Sequence, residues 1–393
     1  MANWRTALVA ALERIDRRYD RVRLGLKLRH GWLDPVEILP YRGHGTQGAL
    51  YLKGRVLEEK GVVTAGIADG PWRNLRAMHR RFASAEIPWA RVRVRYGDCE
   101  RELRADGEGF FQARLEPSAP PPADRAWHEV EVELIAPKAP GQGASRATGH
   151  VLVPPPGAEF GVISDIDDTI IHTGATSLLT MARIVLFGNV HTRLPFQGVA
   201  AFYRALQAGP DGAGHNPIFY VSTSPWNLYD LLTDFLDIQA IPVGPLFLRD
   251  WDTGMDLLRG GGSRRHKLRF IRHILNTHPA LPFVLIGDSG QEDPEIYSRI
   301  VREYPGRIRA IYIRDVTLED RATAIRALAE EVRVLEAPLL LVSDTVAAAQ
   351  HAVEQGFIRA DALPAIREGK REDTRPPALL LPPPPAPIAR ARA

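Results

Sequence analysis

Between residues 160 and 344 six short, continuous apolar runs alternate with stretches of helical character: FGVIS, PIFYVST, GPLFL, FVLIGDS, RAIYIRDV and APLLLVSD. Apolar runs with no polar alternation suit strands covered on both faces, as in a parallel sheet whose crossovers lay helices on either side. The pattern predicts an α/β region with a mostly parallel sheet over residues 154–362. Upstream the texture differs. GALYLKGRVL, ARVRVRYG, GFFQARLE and AWHEVEVELIAP alternate apolar and polar residues and are split by Gly, Pro and Asp. That pattern predicts an all-β sandwich over 34–153, joined to the α/β region by the proline-stiffened LVPPPGAEF.

The ends differ again. Over about residues 3–28, within an N-terminal segment 1–33, Leu8, Ala11, Leu12, Ile15 and Tyr19 recur at helical spacing among arginines. This predicts an amphipathic helix, either solvated on the protein body or touching anionic lipid. Residues 363–393 end in TRPPALLLPPPPAPIARARA, read as a proline-rich disordered tail, with an SH3-like groove as the alternative use.

Charge and composition exclude more than they select. A formal charge of +3 permits an anionic substrate or surface and does not call for nucleic acid, so none is expected as a partner; no protein partner is indicated. Cys99 is the single cysteine, which rules out an internal disulfide and a cysteine zinc site. The apolar stretch at the start is soon broken by Glu13 and Arg14, and no window approaches the roughly 18 apolar residues of a membrane span. The chain reads as cytoplasmic, with peripheral membrane contact as the alternative.

Ligands bind at the carboxyl ends of strands in doubly wound sheets, so the polar residues closing each apolar run are the ones to inspect. The first run ends in SDIDDT, with Asp165, Asp167 and Asp168 within four positions; like charges so close repel unless a cation, a proton or a hydrogen-bond network offsets them. An EF-hand loop starting at Asp165 would need Gly at Ile170 and Glu at Thr176, so that reading fails. Helix capping would use one acid, Asp168, and not all three. The second run ends in Ser222 and Thr223; the following Ser224 and Pro225 predict an N-cap and first helical residue, leaving Ser222 and Thr223 free to meet an anion. Lys267 lies near the start of a helix in RRHKLRFIRHIL, and the fourth run ends in GDSGQED with Asp288 and Asp293. Two further motifs are set aside. GHGTQG at 43–48 matches a dinucleotide fingerprint but is followed by a strand pattern and no helix. GDSG lacks the next glycine of a serine-protease loop.

Strand-DxDxT, strand-Ser/Thr, Lys and strand-GDxxxxD, in that order, resemble the haloacid dehalogenase superfamily of phosphohydrolases. The longer wording SDIDDTI, YVSTSPWNLYDLL, GPLFLRDW, HKLRFIRHIL, FVLIGDSGQEDPEIY and IYIRDV resembles the actin-patch-associated phosphatidate phosphatase family, relatives of the lipins, over roughly residues 155–350. The resemblance implies a Rossmann-like haloacid dehalogenase fold and Mg²⁺-dependent hydrolysis of phosphatidate to diacylglycerol and phosphate. It implies Asp165 as nucleophile and Asp167 as general acid and base. Mg²⁺ would be held by Asp165, the Asp167 carbonyl and Asp288, with Asp293 orienting that shell. Thr169, Ser222, Thr223 and Lys267 would serve the phosphate. Two alternatives stay open: the same chemistry on a soluble or protein-bound phosphomonoester, and a non-catalytic lipid- or protein-binding module. In this superfamily an insertion such as residues 176–196 caps the site, and here its apolar content meets acyl chains or a bilayer, or packs on the core. RGGGSRRHKLR at 259–269 would lend the mouth positive charge.

Overall fold

A computed structural model describes residues 25–27, 29–58, 86–167, 169–170, 198–249, 262–316 and 319–374. The N-terminal helix expected over 3–28 lies almost wholly outside these residues, as do Asp168, the insertion at 176–196 and the tail from 375.

The first region is built from β1 (Val36–Pro40), β2 (Gly43–Gly45), β3 (Leu50–Glu58), β4 (Arg91–Tyr96), β5 (Cys99–Arg104), β6 (Phe110–Leu115), β7 (Trp127–Ala136) and β8 (Arg146–Leu152). Alternate residues of β7, such as Val130, Val132 and Leu134, are buried, as period-two patterning demands. The strands hydrogen-bond as one branched, mostly antiparallel sheet in the order β1-β3-β2-β8-β7-β4-β5, with β6 on the other edge of β3. Separate sheets are not formed by the pairing, because the nine-residue β3 is long enough to bond β1 and β2 on one edge and β6 on the other. The GHGTQG segment is β2 and its turn into β3, so the dinucleotide reading is excluded by structure as well as by pattern.

The second region is α/β. Its strands are β9 (Gly161–Asp165), β10 (Ile218–Pro225), β11 (Leu246–Arg249), β12 (Phe283–Asp288), β13 (Ile308–Arg314) and β14 (Leu339–Val342). Its helices are α1 (Val199–Ala208), α2 (Tyr229–Ile238), α3 (Gly262–Thr277), α4 (Asp293–Glu303), α5 (Glu319–Arg333), α6 (Thr345–Glu354) and α7 (Leu363–Thr374). All pairings are parallel, in the order β11-β10-β9-β12-β13-β14. Every residue of β9 and β12 is buried, which accounts for their unbroken apolar runs.

Two expectations need correction. Residues 363–374, assigned to the disordered tail, form α7; Ile366 is fully buried and the helix packs on α1 and α6. The close approach is visible at Gly198 (φ +77°), where a Cβ would stand 2.8 Å from the Ile366 carbonyl oxygen. Ser224 and Pro225 do not open a helix. β10 runs through Pro225, and a 3₁₀ turn over Trp226–Leu228 leads into α2. Ser222 and Ser224 are two apart on a strand and so face the same way; both hydroxyls are committed to Asp167.

The two regions share a core. Tyr41 and Phe110 of the all-β region pack among Trp226 and Tyr229, with the Tyr41 and Trp226 rings stacked at 4.6 Å. Arg55, buried at the same contact, donates to Asn227 Oδ1 at 2.7 Å and to the Glu108 carbonyl at 3.0 Å, and lies 4.4 Å from the Phe110 ring. Arg42 pairs with Asp237 on α2 at 2.8 Å. The segment that follows Ser222–Ser224 is therefore braced from outside the parallel sheet. No helix among the described residues is long and apolar enough to cross a membrane.

Candidate active site

Three strands end side by side at one rim of the sheet, and each delivers a polar group there. β9 is the inner member of this trio, paired in parallel with both β10 and β12, so Asp165 is placed by backbone bonding on two sides. β10 brings Ser222 and Thr223, and β12 brings Asp288. The carboxylate oxygens of Asp165, Asp288 and Asp293 lie within 4.8 Å of one another, and all three residues are buried.

Lys267, on the second turn of α3, is 98 % buried and reaches into this cluster. Its Nζ stands 2.8 Å from Asp165 Oδ1 and 2.6 Å from Asp293 Oδ1. Burial alone would lower its pKa, but the two carboxylates outweigh that and raise it, so the ammonium is held charged. One cation does not balance three anions. Burial, and then repulsion by Asp293, Asp167 and Asp288, push Asp165 well above the usual carboxylate range despite Lys267; burial and Asp293 push Asp288 up to about 7. Asp288 Oδ1 accepts from the Gly290 and Gln291 amides at 2.6 and 2.9 Å, while its Oδ2 is buried with no hydrogen-bond partner. Hard carboxylate oxygens, one of them unpartnered, in a site short of positive charge fit a divalent cation such as Mg²⁺.

Asp293 sits one turn from Asp288. It accepts the Asp288 amide at 3.3 Å through Oδ2 and Lys267 through Oδ1. This closeness needs the glycine of GDSG: a Cβ on Gly287 would stand 2.5 Å from Asp293 Oδ2.

Asp167 faces a different set of groups. Its Oδ2 accepts the Ser222 hydroxyl at 2.6 Å, the Thr223 amide at 3.3 Å and the Thr223 hydroxyl at 3.4 Å, and its Oδ1 accepts the Ser224 hydroxyl at 3.3 Å. The Asp167 carboxylate thus stays outside the trio, while its main-chain carbonyl, the atom expected to meet the metal, turns towards the β12 loop. Thr169 donates to Asp165 Oδ2 at 3.3 Å. All the candidate residues converge: the trio, Lys267 and Thr169 on one side, and Asp167 with Ser222 and Thr223 on the other.

Sequence reasoning missed two residues. Gln291 donates to the Asp167 carbonyl at 3.1 Å and accepts from Lys267 at 3.3 Å, tying the β12 loop to both halves of the site. Arg321 on α5 donates to the Ser289 and Gln291 carbonyls at 3.2 and 2.8 Å and pairs with Glu295, so it fixes that loop. An amide in a turn carries no periodic signal, and the arginine approaches from a helix with no motif of its own.

Residues 160–315 match the family described as phosphatidate phosphatase APP1, catalytic domain. This segment belongs to that family. A relative from Saccharomyces cerevisiae, phosphatidate phosphatase APP1, is 36% identical over 156 residues, which cover 39% of this chain and 26% of the yeast protein. An uncharacterized protein of Schizosaccharomyces pombe is 27% identical over 159 residues, covering 40% of this chain and 25% of that protein. The matched part thus spans about a quarter of the length of these curated relatives. Among solved structures, a carbohydrate acetylesterase from Xanthomonas citri aligns over 75% of this chain and 72% of its own at 12% identity and a TM-score of 0.25, a likeness that carries no argument. The boundaries of the APP1 match enclose every candidate residue from Asp165 to Asp293, together with β9 to β12 and α3 that position them.

Proposed function

We propose that this chain is a Mg²⁺-dependent phosphatidate phosphatase with a haloacid dehalogenase-type parallel sheet, acting from the cytoplasm on a lipid at an anionic membrane surface. The observation that carries the reading is the convergence of Asp165, Asp288 and Asp293 beside Lys267, inside the segment that matches the APP1 catalytic family.

Transfer of a phosphoryl group needs a nucleophile, a proton for the leaving oxygen and compensation of negative charge. Asp165 attacks phosphorus and becomes an aspartyl-phosphate. Asp167 protonates the departing alkoxide of diacylglycerol, then takes a proton from the water that hydrolyses the acyl phosphate. Ser222, Thr223 and Ser224 hold the Asp167 carboxylate in one orientation for both transfers. Lys267 lowers the cost of the negative charge gathering around Asp165. Mg²⁺, held by the carboxylates of Asp165 and Asp288 and the Asp167 carbonyl, would supply the remaining positive charge. Asp293, engaged with Lys267 and the Asp288 amide, orients that set.

The test is release of inorganic phosphate from phosphatidate–detergent micelles and a panel of soluble phosphomonoesters, with Mg²⁺ and with excess EDTA, beside an Asp165→Asn control. Mg²⁺-dependent release from phosphatidate, lost in the control, is the expected result. Release from sugar phosphates alone would assign the same chemistry to a soluble substrate, and indifference to EDTA would remove the metal.

A further inference from the structure

Helix α3 presents two working faces. Lys267 faces the carboxylates, whereas Arg269, Phe270 and His273 line a separate cleft between the helix, β11 and strands β2, β3 and β6 of the all-β region. The cleft has a volume of about 570 Å³, within the range of small-ligand sites. Its deep parts are aromatic: Phe247 and Trp226 are both 94 % buried. Tyr51 and Phe270 stand around them, with His44 stacked on Tyr51 at 5.1 Å and packed against Phe247 at 5.0 Å.

Charge is distributed unevenly around this aromatic floor. Arg42, Lys53, Arg114 and Arg269 line the cleft, and among the described residues no carboxylate does. Asp237 balances Arg42 and Glu116 balances Arg114, but neither acid is part of the lining. Arg114 and Arg269 are exposed and form the rim. Lys53 Nζ lies deeper, 4.4 Å from the Trp226 ring. His44 and His273 meet through their Nε2 atoms at 2.8 Å; burial holds both below the ordinary histidine range, so they add polar edges without charge at neutral pH.

A cationic rim over an aromatic floor matches one ligand chemistry, an acidic head on an apolar body. We propose that this cleft is a second binding site, distinct from the carboxylate cluster, for an anionic amphiphile with a phosphate head. The head meets Arg114 and Arg269 and the apolar body lies on Trp226 and Phe247. Trp226 follows Ser224 by two residues, so the occupant rests against the segment that holds Asp167.

The test is calorimetric titration of monomeric dioctanoyl phosphatidate into the full chain carrying Asp165→Asn, and into the same chain carrying in addition R114E and R269E. Dioctanoyl phosphatidylcholine and inorganic phosphate serve as comparison ligands. The expected result is loss of one binding equivalent, or weakening of that equivalent by roughly tenfold or more, when the two arginines are reversed. R114Q with R269Q should give a smaller loss in the same direction, and circular dichroism melts should match the parent. An unchanged isotherm in a folded double variant, equal affinity for the choline lipid, or equal affinity for phosphate alone would each overturn the proposal. No phosphate release enters the measurement, so an enzyme inactive on phosphatidate leaves this inference standing.

Discussion

Ser222 donates its hydroxyl to Asp167 Oδ2 at 2.6 Å, a contact between residues 55 apart in the chain. The hydroxyl at this strand end, expected to meet phosphate, also steadies the second aspartate. Asp167→Asn should lower turnover by roughly 10²–10⁴-fold, the usual share of general acid–base catalysis. Ser222→Ala, which leaves the Thr223 amide and Ser224 hydroxyl in place, should cost less, about the factor of five to ten expected for one hydrogen bond. Steady-state kinetics on one phosphomonoester rank the two. A larger loss in Ser222→Ala than in Asp167→Asn would contradict the assignment of the proton-transfer role.

Gln291 spans the gap between Lys267 and the Asp167 carbonyl. Gln291→Leu keeps the volume and removes both bonds. Activity should fall by roughly 10–100-fold, the range for groups that orient a site without reacting, with little change in melting temperature. Wild-type kinetics in this variant would show that the bridge has no catalytic consequence.

Arg55 lies outside the parallel sheet yet bonds Asn227, five residues after Ser222. Arg55→Ala should destabilise the protein by about 2–3 kcal/mol through the lost charged hydrogen bonds, read from denaturant unfolding. At temperatures where the variant is folded, turnover should still drop several-fold, because the segment bearing Ser222–Ser224 has lost its outer support. Arg55→Lys, which keeps the charge but not the fork, should recover only part of either effect.

His278 supplies the pH test. Burial, then repulsion by His273 and Arg307, push its pKa from 6.5 down to about 4. Above pH 6.5 the ring is neutral folded or unfolded, so this residue adds no slope to stability there. As pH falls from 6.5 towards 4 the unfolded chain takes up a proton that the folded chain refuses, and stability declines by at most roughly 3 kcal/mol. His44 and His273, also held down by burial, add to the slope. His278→Phe, placed against Phe219 at 5.3 Å, should make the melting-temperature profile shallower over that interval.

The rim of the sheet was legible because burial on both faces writes an unbroken apolar run, and the polar residues that close the run mark the rim. Asp165, Ser222 and Asp288 follow from that rule alone. Lys267 is buried on a helix, where nothing in the periodicity separates it from a solvated lysine, and its role came from the order of motifs. A serine before proline has the same signature whether it caps a helix or closes a strand; for Ser224 the partner that decides, Asp167, is 57 residues away. Helix α7 writes little periodicity because only a few of its residues, Ile366 among them, meet the core. The cleft at β11 was invisible for a general reason: alternation shows that a strand has an inner and an outer face, but not which outer face another region will cover.

Asp165, Ser222, Lys267 and Asp288 arrive on four separate elements, and the bond from Gln291 to Asp167 closes a loop of 124 residues. Parallel pairing of this kind has a high contact order and must wait for the intervening crossovers to form. Catalytic competence should therefore be among the last properties recovered on refolding, trailing the return of helical signal, so phosphate release, on the proposed function, serves as a clock for the closing steps of assembly.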